Sequence, residues 1–272
     1  MMRISTLSRY FLQTFFPSIT GIIFVLLTIA YWFVLFNPQQ TTPDVSYYIL
    51  LIGIFGAGMG FLTTIAVASQ ANKMQLAAWQ TRFTSRAEYL TAVFLSTIII
   101  TTSLQLLLAL LSLISGPHFQ FVNLVMIPPV WFSMTVVTVV LALHATDLVT
   151  SGWSRVYVFG ILAILLFGQG INNHTVSRVA SNLSEIATLQ GWFDLGQSLN
   201  EYANSVMASD TNILSRVFGF IFWPFTAMAD GIANGYFTLA QALAPAILLL
   251  YAVILFMLAT DFFAGKDLQL TE

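Results

Sequence analysis

The sequence predicts an all-α integral membrane protein, and three observations carry that expectation: scarce charge, long apolar runs, and cations gathered into a few short intervals. Charged residues make up 7% of the chain and hydrophobic residues 58%; an ordinary soluble domain carries about 25% charge. A soluble fold of this size could not cover so much apolar surface with so few charges. The expected architecture is six transmembrane helices, an N-terminal amphipathic interfacial helix, and an outer helical hairpin or re-entrant segment before the last span. The 272 residues suit a single transmembrane domain over 1–272, with no room for a separate soluble enzyme domain. A net charge of −2 offers no basic face for nucleic acid. The absence of cysteine removes disulfides, thiolate metal sites and thiol catalysis together.

In residues 1–16, Ile4, Leu7, Phe11 and Phe15 recur at helical steps while Ser5, Arg9 and Gln13 fall on another face. That pattern predicts an amphipathic helix lying flat at the cytoplasmic interface, with Arg3 and Arg9 toward lipid headgroups. No small-x-small cleavage site follows the first long apolar run, so a cleaved signal peptide is not expected.

The first span is expected over about 17–36, and the second over about 45–68. Gly56 and Gly60 in the second make a G-x-x-x-G pair, which lets another helix approach closely, either within the subunit or at a dimer seam. The third span is expected over about 89–115. Its Thr97, Thr101 and Gln105 stand four residues apart and share one face, which must meet another helix or a wet translocation path. The fourth, about 121–145, carries Pro128 and Pro129, a pair expected to kink or open its outer turn. A short fifth span is placed over about 156–170.

An outer helical segment follows over 171–237. Val176, Val179, Leu183 and Ile186 make one helical stripe; after Gly191, Trp192, Leu195, Leu199, Tyr202 and Val206 make a second. Asn173 and Asn182 open N-x-[ST] triplets there, relevant only in a secretory pathway. The apolar run 217–229, bounded by Arg216 and Asp230 and holding Pro224, is short for a crossing and reads as re-entrant. The last span is expected over about 238–260.

With six spans and both termini inside, the inner side holds Arg3, Arg9, Lys73, Arg82, Arg86, Arg155 and Lys266, and the outer side only Arg178 and Arg216. That distribution obeys the positive-inside rule and favours six spans over seven. The expected location is a bacterial or archaeal plasma membrane.

Catalytic patterns are missing. The sequence has no G-x-x-x-x-G-K-[ST], no H-E-x-x-H and no G-x-S-x-G, so no P-loop, zincin or nucleophile-elbow chemistry is expected. His118 stands alone in an outer turn. His144 and Asp147 form a pair too sparse for a metal site and suit a hydrogen-bonded helix end. No expected span carries an ionisable residue at its centre, which argues against proton- or sodium-driven transport. Energy would then come from outside the membrane domain.

These features together resemble the type-two permeases of ABC exporters. The interval 69–90 ends in Ser85, Arg86, Glu88, Tyr89 and Leu90, which is similar to the family's motif leading into the third span. Pro224-Phe225 is similar to a pair common after the family's fifth span. Gln70-Ala71-Asn72-Lys73 replaces the family's acidic-basic-glycine opening, and Phe83 and Val93 stand where proline and lysine are common. The resemblance implies that 69–88 is a cytoplasmic coupling loop, with a docking helix from Leu76 to Arg82 seated on an ABC ATPase subunit. Leu76, Trp79, Gln80, Arg82, Arg86 and Glu88 would make that contact. It also implies a second permease subunit, identical or not, and ATP and Mg held by the partner ATPase rather than by this chain. The expected function is export of an amphiphilic substrate, with no enzymatic activity in the chain itself. The alternative is a membrane scaffold or assembly subunit that uses the outer helices as its interaction surface.

Overall fold

The structure, a computed structural model, describes residues 2–36, 44–72, 86–117, 121–150, 173–208 and 213–265. Among these residues it is all-helical. The α-helices are α1 (Met2–Phe15), α2 (Ile19–Leu35), α3 (Val45–Ala71), α4 (Arg86–Ser112), α5 (Phe121–His144), α6 (Asn173–Leu189), α7 (Phe193–Ala208), α8 (Ile213–Asn234) and α9 (Ala244–Gly265). Four stretches are long and apolar enough to cross a bilayer: Val45–Ala71, Arg86–Ser112, Val125–His144 and Gln241–Gly265. A fifth is possible if α1 and α2, which meet at a bend of 71°, count as one broken span. The protein is therefore a multi-pass membrane protein. The fifth span expected over 156–170 lies outside the described residues.

Chain contacts divide the protein into two compact units, Met1–Val156 with Ala227–Glu272, and Tyr157–Thr226. In the first, α3 packs against α4 and α5, α9 packs against α5 and α4, and α1 and α2 lie on α4. Ile52, Val67, Ile100, Leu108, Val139, Val140 and Leu143 are fully buried between these helices. On the outside, Ile19 is 78% exposed, Val34 73%, Phe33 63% and Met257 63%. Such a continuous apolar exterior needs lipid rather than water around it.

The bend between α1 and α2 has a local cause. Pro17 sits in the turn, and Ser18 caps α2, its hydroxyl accepting from the Gly21 N–H at 3.1 Å and donating to the Phe15 carbonyl at 2.6 Å. Leu7, Phe11 and Phe15 are buried on the rest of the unit while Ser5, Arg9 and Gln13 are exposed. The face expected to be apolar is the one that packs.

The last span begins later than the apolar run suggests. Thr238 and Gln241 form a reciprocal capping box: the Gln241 carboxamide oxygen accepts from the Thr238 N–H at 3.0 Å, and the Thr238 hydroxyl from the Gln241 N–H at 3.3 Å. That box opens a 3-10 turn at Gln241–Leu243, and α9 starts at Ala244 with Pro245 in its first turn, where proline is tolerated. Pro128 and Pro129 lie inside a continuous α5 on its exposed side.

The apolar run 217–229 is part of α8, a single 22-residue helix through Pro224. Arg216 and Asp230 interrupt the hydropathy but not the helix. Within the second unit, α6 and α7 pair as a hairpin turned by Gly191 at φ 81°, as the two stripes predict. Its seam is made by small residues. Ala180, Ala187, Gly196 and Ala203 are buried, and the Ser184 hydroxyl donates to the Gly196 carbonyl at 2.6 Å. The bulky stripe is left outside, with Leu183 49%, Ile186 56%, Leu195 49% and Tyr202 45% exposed.

Candidate functional site

One end of the first unit gathers the residues around the interval 69–88. The last turn of α3, the first turn of α4 and the last turn of α9 meet there, and α1 lies against them. Of the expected coupling residues, Leu76, Trp79, Gln80 and Arg82 lie outside the described residues, as do Lys73 and Lys266. Arg86 and Glu88 are described, and both stand in the first turn of α4.

Arg86 reaches across to α9. Its Nη1 donates to the Ala264 carbonyl at 2.9 Å and to the Phe263 carbonyl at 3.3 Å. The final carbonyls of a helix have no partners in their own helix, and a cation there is favoured by the macrodipole by up to about 1 kcal/mol. Tyr89, one turn further on, is fully buried, and its hydroxyl donates to the Ala71 carbonyl, the last of α3, at 2.7 Å. Its ring stacks on Phe263 at 6.2 Å and meets the edge of Phe11 of α1 at 6.5 Å. Leu90 is also fully buried. Glu88 Oε2 is buried with no hydrogen-bond partner, beside the N-terminus of α4, where the macrodipole favours a carboxylate.

Both ends of the 73–85 interval are thus fixed. Ala71 is held through Tyr89, and Arg86 is held on α9. The pattern Ser85–Leu90 pointed to this turn of chain, but the importance of Tyr89 and the partners Ala71, Phe263 and Ala264 were not legible in the sequence. The tyrosine in the motif was the available signal.

The same end of the unit has a cavity of about 420 Å³, lined by Ile65, Ala68, Ser69 and Asn72 of the α3 end and by Ala145, Thr146, Asp147 and Leu148 after α5. The helices α3 and α5 therefore finish side by side. His144 closes α5: its Nδ1 lies 2.9 Å from the Val140 carbonyl and so carries the proton, while Nε2 is buried without a partner. The turn is secured by Thr150, whose hydroxyl donates to the His144 carbonyl at 2.6 Å. No group of three or more metal-ligating side chains occurs among the described residues.

The polar stripe of α4 and the glycines of α3 meet in the middle of the unit. Gln105 Nε2 donates to the Ile52 carbonyl at 3.1 Å, and its Oε1 accepts from the Thr135 hydroxyl at 3.3 Å. One side chain therefore joins α3, α4 and α5. The Thr101 and Thr63 hydroxyls bond each other at 2.7 Å, and Thr97 donates to the Val93 carbonyl at 2.9 Å. Thr97, Thr101 and Gln105 are all buried. A Cβ at Gly56 would overlap the Gln105 carboxamide, and one at Gly60 would press on Val139 Cγ2 at 3.2 Å. The pair and the stripe thus face each other within one subunit. The three span residues make interhelical or intrahelical bonds.

Comparison with known proteins adds nothing to this geometry: no family model, no curated protein and no solved structure matches the chain.

Proposed function

We propose that the chain is the membrane-spanning permease subunit of an ABC exporter, driven by ATP hydrolysis in separate ATPase subunits that hold ATP and Mg. The observation that carries the reading is the anchoring of both ends of the 73–85 interval, through Tyr89 to α3 and through Arg86 to α9. A push on a loop tied in this way is delivered to three helices at once rather than lost in slack chain. The remaining described spans support an external energy source. None has an acidic, basic or histidine side chain near its centre, and their hydroxyls donate to carbonyls, as Thr63, Ser96 and Ser112 do.

In this reading α1 is the interfacial helix and the six spans are α2, α3, α4, α5, the 156–170 run and α9. The termini lie in the cytoplasm with the cation-bearing end of the unit, and the subunit works with a second permease, identical or different. Leu76, Trp79, Gln80 and Arg82 contact the ATPase; Arg86 and Glu88 set the base of the loop. The cargo is amphiphilic, in keeping with uncharged, aromatic spans. A second reading, a membrane scaffold or assembly subunit, is favoured by the exposed bulky stripe of the α6–α7 hairpin.

Co-purification separates the two. The full chain, expressed with candidate ABC ATPases from the same genome, should retain one of them. The double substitution Trp79→Ala with Arg82→Ala should weaken retention by about tenfold or more, as loss of two central contact side chains does. Unchanged retention and unchanged nucleotide turnover would reject the coupling role. Failure of the wild type to retain any ATPase would favour the scaffold.

A further inference from the structure

A groove separates α1 from α4 on the outside of the first unit, with a volume of about 610 Å³, lined by Ile4, Ser5, Ser8, Arg9, Leu12, Thr91, Leu95 and Ile99. That volume lies within the range of small-molecule sites, roughly 300–1,000 Å³. Its two walls have different origins. On α4, Thr91, Leu95 and Ile99 recur every four residues and form one stripe about 12 Å long at 1.5 Å per residue. On α1, Ile4, Ser8 and Leu12 form a second stripe, flanked by Ser5 and Arg9.

The walls are held together at one point. The Ser8 hydroxyl donates to the Ala92 carbonyl at 3.2 Å, and the Ser96 hydroxyl reaches the Ser8 carbonyl at 3.5 Å. The helices touch there, and the groove stays open beside the contact. Leu95 is 39% exposed and Ile99 44%, and they lie on a helix long and apolar enough to span. The apolar part of the groove is therefore bathed in lipid.

Arg9 decides what occupies it. Its side chain is exposed and makes no ion pair or hydrogen bond among the described residues. A guanidinium left free beside an apolar channel, with the Ser5 and Thr91 hydroxyls on the same lining, has complementary chemistry in a phosphate carrying an acyl chain. Arginine suits that partner because its planar fork pairs with phosphate oxygens through two bonds.

We infer that this groove is a specific site for one anionic membrane phospholipid, its phosphate on Arg9 and an acyl chain along Leu12, Leu95 and Ile99. The lipid would fill the gap between α1 and α4 and help hold the interfacial helix against the bundle. The inference needs only the membrane placement, so it stands or falls separately from the ATPase reading.

Native mass spectrometry of the detergent-purified full chain tests it, with dioleoyl phosphatidylglycerol, dioleoyl phosphatidylcholine and glycerol phosphate as probes. Phosphatidylglycerol should be retained as one molecule per chain about fivefold more strongly than phosphatidylcholine, the factor for one cation at an anionic lipid surface. Arg9→Gln should erase that preference while leaving residual, headgroup-blind retention. Ile99→Trp, which fills the apolar part, should reduce both lipids. Circular dichroism of both variants should show wild-type helicity. Equal retention of the two lipids by the wild type, or a preference that survives Arg9→Gln, would overturn the site. Displacement of phosphatidylglycerol by glycerol phosphate at matched concentration would overturn the lipid assignment in favour of a simple anion site.

Discussion

The three-helix core of α3, α4 and α5 and the α6–α7 hairpin use the same device and leave opposite surfaces. In both, small residues form the seam: Gly56 and Gly60 with Thr101 in the core, and Ala180, Ala187, Gly196 and Ala203 in the hairpin. In the core, bulky neighbours such as Ile52, Met59 and Leu104 are buried with the seam, whereas in the hairpin Leu183, Ile186 and Leu195 are turned outward. In lipid, bulky side chains gain little by meeting each other, since the surroundings are equally apolar. Close backbone approach and interhelical hydrogen bonds then decide the pairing. A bulky stripe identifies a face without saying which way that face is turned.

The sharpest way to break the comparison is Gly56→Leu. The added side chain enters the space of the Gln105 carboxamide, so overpacking should cost about 3 kcal/mol. The expected outcome is a large loss of monodisperse protein in size-exclusion chromatography. A variant that elutes like the wild type would show that the glycine seam is not what joins α3 to α4.

The hairpin answers to its turn more than to its bulk. Gly191→Ala places a side chain at φ 81°, a left-handed conformation that costs roughly 1 kcal/mol for an L-residue. Amide hydrogen exchange in α6 and α7 should speed by about fivefold, with the core unchanged. The smallest effect is expected from Leu183→Ser with Ile186→Ser. These side chains lie outside the seam, so exchange in the hairpin should stay within about 0.5 kcal/mol of the wild type. Exchange as fast as in Gly191→Ala would mean that the bulky stripe holds the hairpin after all.

Much of this layout was legible in residue spacing. Phe11 and Phe15 announced the packed face of α1, and Thr97, Thr101 and Gln105 announced a shared polar face. The partners of that face were not legible, because Ile52 and Thr135 lie 53 and 30 residues from Gln105. Periodicity reports which residues share a helix face; it carries no information about a neighbour so distant along the chain. The hairpin seam was not legible for a related reason, since alanines at helical spacing attract no notice beside leucines. The extension of α8 beyond the apolar run 217–229 was not legible, because Arg216 and Asp230 change hydropathy without supplying a cap or a break. At the loop, Arg86 and Glu88 could be expected to matter, while the acceptors of Arg86 on α9 depended on the fold.

That arginine has a consequence for the order of assembly. Its acceptor Phe263 lies 177 residues downstream, and domains form as the chain emerges from the N-terminal side during synthesis. While α3, α4 and α5 are already inserted, the two α9 carbonyls that accept from Arg86 do not exist until 263 and 264 have been made. The start of α4 is therefore tied first to α3 through Tyr89 and is fastened to α9 last. A chain that stalls before that point lacks the joint between α4 and α9 that a finished one has closed, a difference that a quality-control protease at the membrane surface would read.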